Sequence, residues 1–195
     1  MTVEAETPAG ARSGSSVMEV SAYKRFALTS EDRSGGGSFR AEAVVVDLPS
    51  GPVFVLPTLL GPTGYLGARA TEALLPDRKM GSIDGYVAAV TELGSGKRYE
   101  ATLPRADWPL MVRFRDIGDP TTVEAADPET AGIRRIRLET TADPVTTGVE
   151  KRFPPWFLEL LHSKARFNGK HSIGVSSHDL ADNLSPGAFS TEIGK

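Results

Sequence analysis

Two stretches of this sequence repeat one pattern, and that pattern constrains the fold more than any other feature. Residues 113–124 read RFRDIGDPTTVE, and residues 137–150 read RLETTADPVTTGVE. In each, a strand-like run opens with arginine and is followed by Asp-Pro, two threonines and Val-Glu. Proline has no N–H to donate to a β-ladder, and aspartate can bond the backbone ahead of it. The repeat therefore predicts two β-strands that end in the same kind of turn.

The arginines in and beside this repeat form the first candidate site. Arg113 and Arg115 alternate with apolar residues, and Arg135 and Arg137 share one face of the later strand. If the two strands are neighbours in one sheet, four guanidinium groups lie close together. They could then bind phosphate, a lipid headgroup or an acidic polysaccharide. The alternative is a solvated ionic face in which intervening acids separate the arginines, and these acids would be Glu100, Asp116 and Glu139.

Length and composition indicate one globular domain. The chain has 195 residues, 39% of them hydrophobic and 24% charged, which is enough to bury a core without a disulfide or a metal. It contains no cysteine, which excludes disulfides, thiolate metal sites and cysteine catalysis. A net charge of −3 argues against a nucleic-acid partner. We expect a single β-rich domain over residues 1–167 and a polar, loosely packed tail over 168–195.

Short alternating runs separated by turns predict a β-dominated fold. The predicted strands cover 2–6, 16–20, 43–48, 53–56, 97–103, 110–116 and 133–140. Apolar residues at helical spacing predict three short helices, which cover 65–75, 84–93 and 156–161. The glycines of SGGGS, residues 34–38, predict a mobile hairpin tip. Together these elements predict an α+β fold, with hairpins in an antiparallel sheet or sandwich and two or three short helices.

Residues 61–67, GPTGYLG, precede a predicted helix and suggest a cofactor site. The motif resembles the glycine-rich turn of atypical short-chain dehydrogenases and their NmrA-like relatives. That resemblance implies that Gly61, Gly64 and Gly67 let the backbone approach a pyrophosphate at a helix N-terminus. A dinucleotide-binding protein or oxidoreductase is therefore one alternative function. No Tyr-x-x-x-Lys pair follows the motif, and a glycine-rich loop that merely enters a helix is the other interpretation.

The three histidines of the chain all lie between residues 162 and 178. Imidazole and carboxylate groups are ligands for zinc and related ions, so His171, His178 and Asp179 are candidate metal ligands. A metal-dependent hydrolase is a second alternative function. The histidine spacings match no helical face, and solvated polar residues are the competing interpretation. No Gly-x-Ser-x-Gly motif occurs, and no catalytic residue is assigned.

Several tracts together resemble a family of uncharacterised proteobacterial proteins. They are TVEAETPAG and RSGSSVMEV near the start, AEAVVVDLP in the middle, and the longer WPLMVRFRDIGDPTTVEAADP and IRRIRLETTADPVTTGVEKRFPPW. The resemblance covers residues 2–156. Members usually carry an N-terminal hydrophobic anchor or leader, which implies a domain that faces the periplasm. No activity is established for the family, so the resemblance implies a location and no chemistry.

We therefore expect a non-catalytic cell-envelope domain that binds a protein partner or an anionic ligand, such as a small molecule or polysaccharide. We expect no cofactor and no nucleic acid. The location is periplasmic if a leader has been removed, and cytoplasmic otherwise. No run of eighteen apolar residues occurs, so no transmembrane segment is expected in this chain.

Overall fold

The computed structural model describes residues 1–25, 35–57, 66–171 and 177–193. Within these ranges the strands are β1 (Thr2–Thr7), β2 (Gly10–Ser15), β3 (Glu19–Lys24), β4 (Gly35–Arg40), β5 (Val44–Leu48), β6 (Gly51–Val55), β7 (Glu100–Thr102), β8 (Met111–Phe114), β9 (Val123–Ala125) and β10 (Ile133–Glu139). The α-helices are α1 (Leu66–Leu74), α2 (Ile83–Leu93), α3 (Trp156–Ser163) and α4 (Leu180–Asn183). The predicted β-dominated α+β fold is confirmed.

All strand pairs among the described residues are antiparallel, and they form three sheets. The strand orders are β2-β1-β10-β7, β5-β6-β8-β9 and the ribbon β3-β4. The two larger sheets meet where β2 lies against β5. A Cβ added to Gly14 of β2 would stand 2.0 Å from the carbonyl oxygen of Val45, so the approach requires glycine.

The described residues form two buried apolar clusters. The first lies among the β2-β1-β10-β7 sheet, β5, β6 and α1, and its fully buried members include Val3, Val46, Leu66 and Ile136. The second is aromatic and lies under β6, β8 and the C-terminal segment, with Phe54, Phe157, Phe167 and Phe189 each at most 1% exposed. Aromatic side chains bury the most area per residue, so this cluster is a large share of the stabilising burial.

The C-terminal segment contributes to the aromatic cluster, which corrects the expected loose packing of residues 168–195. Leu184 is 1% exposed and Phe189 is fully buried. The backbone N–H of Ala43 donates to the carbonyl oxygen of Phe189 at 2.7 Å, which joins the segment to the chain just before β5. The expected boundary after residue 167 therefore does not separate the described part of the segment from the core.

The glycine-rich stretch is also more ordered than the sequence suggests. Residues 35–37 belong to β4 and pair with β3, so the predicted mobile tip is wrong for this part; residue 34 lies outside the described ranges. A Cβ on Gly35 would lie 2.6 Å from Cγ1 of Ile83, and one on Gly37 would lie 3.5 Å from Cε1 of Tyr86. The glycines thus allow α2 to lie directly on the β3-β4 ribbon.

The two copies of the repeat fold differently. The first forms most of the β8-β9 hairpin, and the carboxylate of Asp119 accepts the N–H of Thr121 at 2.9 Å within its turn. The second begins in β10 and continues beyond Glu139 without a further strand. Both copies supply a strand as predicted, but β8 and β10 lie in different sheets.

Candidate functional site

The structure does not assemble the predicted four-arginine anion site. Arg113 lies on β8 and Arg115 just after it, whereas Arg135 and Arg137 lie on β10. Because these strands belong to different sheets, the geometry that would bring four guanidinium groups onto one face is absent. The expectation of a shared arginine face is therefore wrong.

Each arginine pair instead shares one glutamate. On the first sheet, Nη2 of Arg135 lies 2.7 Å from Oε2 of Glu4, and Nη1 of Arg137 lies 3.6 Å from the other oxygen. On the other sheet, Glu124 pairs with Arg113 at 2.7 Å and with Arg115 at 3.5 Å. The arginine side chains are 41 to 71% exposed. The arginines are therefore paired with acids at the solvated surface, as the alternative held, but the acids are Glu4 and Glu124 on two separate sheets and not the predicted Glu100, Asp116 and Glu139.

The predicted dinucleotide loop lies largely outside the described residues, which begin again at Leu66. Of its three glycines only Gly67 is described, and it lies in α1. A Cβ there would stand 2.9 Å from the ring of Phe39 and 3.0 Å from Val20, so this glycine permits close packing of α1 on β3-β4. The strands that flank the loop and helix, β6 and β7, lie in different sheets and do not form a βαβ unit. The structural context that a dinucleotide site needs is therefore missing.

The candidate metal ligands do not form a metal site. His171 and His178 are exposed. Asp179 caps α4, with its Oδ1 accepting the N–H of Ala181 at 3.0 Å. In the part of the chain that the structure describes, no three His, Asp or Glu side chains are grouped so that they could hold a metal ion.

A cleft of about 480 Å³ lies where α1, α2, β3 and the chain after β10 come together. We call it the α1-α2 cleft. Its lining includes half-buried apolar side chains from β3 and the residue before it, from α1 and from α2: Met18, Val20, Leu74, Val90 and Leu93. The buried Leu138 of β10 lies at its base. Cavities of this size and polarity are typical of small-molecule sites. The sequence did not indicate this cleft.

Two threonines fix the rim of the cleft, residues 140–146. Thr146 donates its N–H to the carbonyl oxygen of Val17 at 3.1 Å, and its hydroxyl oxygen accepts the N–H of Val17 at 2.8 Å. At the other end, the N–H of Thr140 donates to the carbonyl oxygen of Tyr99 at 3.0 Å. The hydroxyl oxygen of Thr140 accepts the N–H of Tyr99 at 2.9 Å. The rim therefore has a fixed position although it contains no strand or helix.

Among the described residues, the charged side chains that line the α1-α2 cleft are all acidic. Glu19, Glu139 and Asp143 contribute to the lining, and no described lining residue is lysine, arginine or histidine. The amino group of Met1 also borders the cleft and donates to the carbonyl oxygen of Ser16 at 2.8 Å. Burial lowers the pKa of this amino group, and the nearby Glu139 acts in the opposite direction. The cleft thus combines an apolar interior with carboxylates at its edge.

A second cavity, of about 360 Å³, contains the buried carboxylate of Glu42. Glu42 is 5% exposed, its Oε2 accepts the N–H of Val149 at 2.8 Å, and burial raises its pKa. Its backbone carbonyl accepts the hydroxyl of Ser16 at 3.0 Å. Among the described residues no buried side-chain nitrogen or oxygen lacks a hydrogen-bond partner. We interpret Glu42 as a structural residue that holds the backbone of residues 148–149 in place. The sequence signal for such a buried acid is a single glutamate within the apolar run AEAVVV.

Comparison with protein-family models, with curated proteins and with solved structures finds no match to this chain in any of the three. Among the described residues, no helix is long and apolar enough to cross a bilayer. The chain is a β-dominated α+β protein with an apolar cleft between α1, α2 and β3.

Proposed function

We propose that this chain is a non-catalytic binding module that holds a small, largely apolar ligand in the α1-α2 cleft. The observation that carries the proposal is the cluster of half-buried apolar side chains around a cavity of about 480 Å³. A ligand would remove these side chains from water, and each buried CH₂ contributes roughly 0.8 kcal/mol. The proposal keeps a binding role, but the ligand class changes from a protein partner or an anion to a small apolar molecule.

The chemistry of the lining favours binding over catalysis. The described lining contains no serine, histidine, lysine or tyrosine, and its only hydroxyl groups are those of threonines. The hydroxyl of Thr141 donates to the carboxylate of Asp143 at 2.7 Å on the exposed rim, outside the apolar interior. The hydroxyl of Thr71 donates to the carbonyl oxygen of Gly67 at 2.8 Å, and the hydroxyl of Thr140 donates to that of Lys97 at 3.1 Å. These hydroxyls hold the backbone in place, which is a structural role.

A small ligand also fits the surface better than a protein that docks on an apolar patch. Among the described residues, only two large hydrophobic side chains are exposed, Tyr23 at 44% and Leu158 at 38%. Protein-binding patches are usually contiguous and larger than a few hundred Å². The location at the cell envelope remains a proposal that rests on the family resemblance.

The test is a titration with Nile red, an uncharged dye whose fluorescence rises in apolar surroundings. We expect saturable binding by the wild-type protein, with a Kd between about 1 μM and 1 mM after the cost of association. Leu93→Gln places a polar group in the cleft, and we expect it to weaken binding by roughly tenfold.

Leu158→Gln is the matched control, because it makes the same change at a half-exposed helical leucine outside the α1-α2 cleft. It should bind the dye as the wild type does. Circular dichroism and urea unfolding confirm that both variants are folded. Absence of saturable binding, or an equal loss in both variants, contradicts the proposed function.

A further inference from the structure

We infer that the ligand of the α1-α2 cleft is a cationic amphiphile, with an apolar chain in the cleft and an ammonium or similar group at the acidic rim. This inference rests on the proposed function and adds the charge of the ligand. The evidence for the charge of the ligand is the distribution of charged groups around the cleft. The evidence for the proposed function is different, namely the apolar lining.

The acidic groups lie at the mouth and the apolar groups lie inside. Asp143, Thr141 and Pro144 are exposed rim residues, and Glu19 is exposed at the start of β3. Leu138 at the base is 4% exposed. A ligand that enters the cleft with its apolar end first would therefore leave its polar end beside carboxylates.

The carboxylate of Asp143 is the best placed to meet a cation. Its Oδ2 accepts the hydroxyl of Thr141 at 2.7 Å, which orients the group on the rim. Among the described residues it forms no ion pair with a lysine or arginine. An ammonium group can thus approach it without displacing a protein cation.

The other two carboxylates contribute less, because each already has an arginine partner that does not line the cleft. Glu139 lies 2.8 Å from Arg98, so its charge is partly offset. Glu19 lies 3.5 Å from Arg40, but the closer partner of that arginine is Glu192 at 2.8 Å. Among the described lining residues, the amino group of Met1 is the one cationic group, and its burial lowers its pKa. The remaining field at the mouth is acidic and disfavours an anionic head.

The experiment compares three probes with the same alkyl chain and different heads: decyltrimethylammonium and decyl sulfate below their micelle concentrations, and decanol below its solubility limit. Isothermal titration calorimetry gives the affinity for the wild-type protein. We expect the cation to bind about fivefold more tightly than the alcohol, and the alcohol more tightly than the anion. Raising the salt from about 0.05 M to about 0.5 M should reduce these differences, because exposed charges are screened.

Two variants with the same change in net charge locate the effect. Asp143→Lys should reduce the ratio of cation to anion affinity by at least about fivefold. Asp77→Lys, at an exposed turn away from the cleft lining, should leave that ratio unchanged. Urea unfolding verifies that both variants are folded.

The outcomes separate the two proposals. Equal affinities for the three probes, a preference for the anion, or the same change in both variants overturns the inference about charge while the binding function stands. Failure of all three probes to bind overturns the proposed function, and the inference falls with it.

Discussion

At Gly14 the two larger sheets approach each other closely. A Cβ there would stand 2.0 Å from the carbonyl oxygen of Val45 and 3.1 Å from Cγ1 of Val44. Real Cβ atoms do not come that close to backbone, so even a methyl group must push β2 and β5 apart. The glycine is required by packing between the sheets, and no local pattern in the sequence shows this.

Gly14→Ala is therefore expected to lower the free energy of unfolding by roughly 1–3 kcal/mol, the usual cost of overpacking. Gly81→Ala is the matched control, because nothing lies within 4 Å of the added methyl group. It should change stability by no more than about 0.5 kcal/mol. Urea unfolding of both variants measures the difference, and equal stability would contradict the close approach of β2 and β5.

Glu42 gives the protein a specific pH dependence. Burial raises the pKa of its carboxyl above the ordinary value of 4.5, with the N–H of Val149 opposing the shift and the charge of Glu150 adding to it. The folded state thus holds the proton more tightly than the unfolded chain. This contribution to stability is fully present below the unfolded pKa and is lost as the pH rises through the folded pKa.

Glu42→Gln keeps an oxygen that can accept the N–H of Val149 and removes the ionisation. The stability of the wild type relative to this variant should therefore fall as the pH rises from about 4 to about 7. Urea unfolding across that range measures it. Glu129→Gln, at an exposed glutamate, controls for the loss of one carboxylate. A constant difference between wild type and Glu42→Gln across the range would show that the carboxyl is not shifted.

Among the elements, the two copies of the repeat show why similar sequences fold differently. One edge of β8 pairs with β6. The other edge is open to the segment that follows, and the first copy turns back along it to form β9. β10 lies between β1 and β7, so both of its edges are already paired. The Val-Glu of the second copy has no edge to join, and the chain continues as the rim of the cleft. Which edges are occupied depends on long-range pairing, and the repeat itself cannot reveal it.

The rim depends on Thr146, whose hydroxyl accepts the N–H of Val17. Thr146→Val removes this acceptor at nearly constant volume, and we expect it to cost roughly 1–2 kcal/mol of stability. It should also speed hydrogen exchange at the amide of Val17 and weaken Nile red binding. Thr147→Val makes the same change at the next residue, which is exposed and does not line the cleft. If the two variants behave alike, the rim is not held by this hydrogen bond.

For the whole molecule, the fold class was predictable and the site was not. The β-branched run of 43–48 and the strand-like run of 133–140 are local signals, and they correctly predicted β5 and β10. The helices α1, α2 and α3 were likewise marked by their apolar spacing. The segregation of β8 and β10 into different sheets is set by contacts far apart in sequence, so the predicted arginine site failed.

The cleft was not predicted because it too depends on contacts between residues far apart in sequence. Its lining comes from residue 1 and from three separate stretches, residues 17–20, 67–94 and 138–145, and each stretch reads as ordinary amphipathic structure by itself. Tertiary packing alone brings Val20, Leu93 and Leu138 around one cavity. The C-terminal segment was mistaken for a tail because its few apolar residues, Leu184 and Phe189 among them, are spread through polar sequence.

The most direct test of the α1-α2 cleft as a binding site is an NMR titration of backbone amides with decyltrimethylammonium below its micelle concentration. We predict saturable shifts concentrated at lining residues such as Val20, Leu93 and Asp143, with the aromatic cluster around Phe189 unaffected. Shifts centred on the second cavity, near His162 and Leu158, or spread evenly over the surface, would contradict the account.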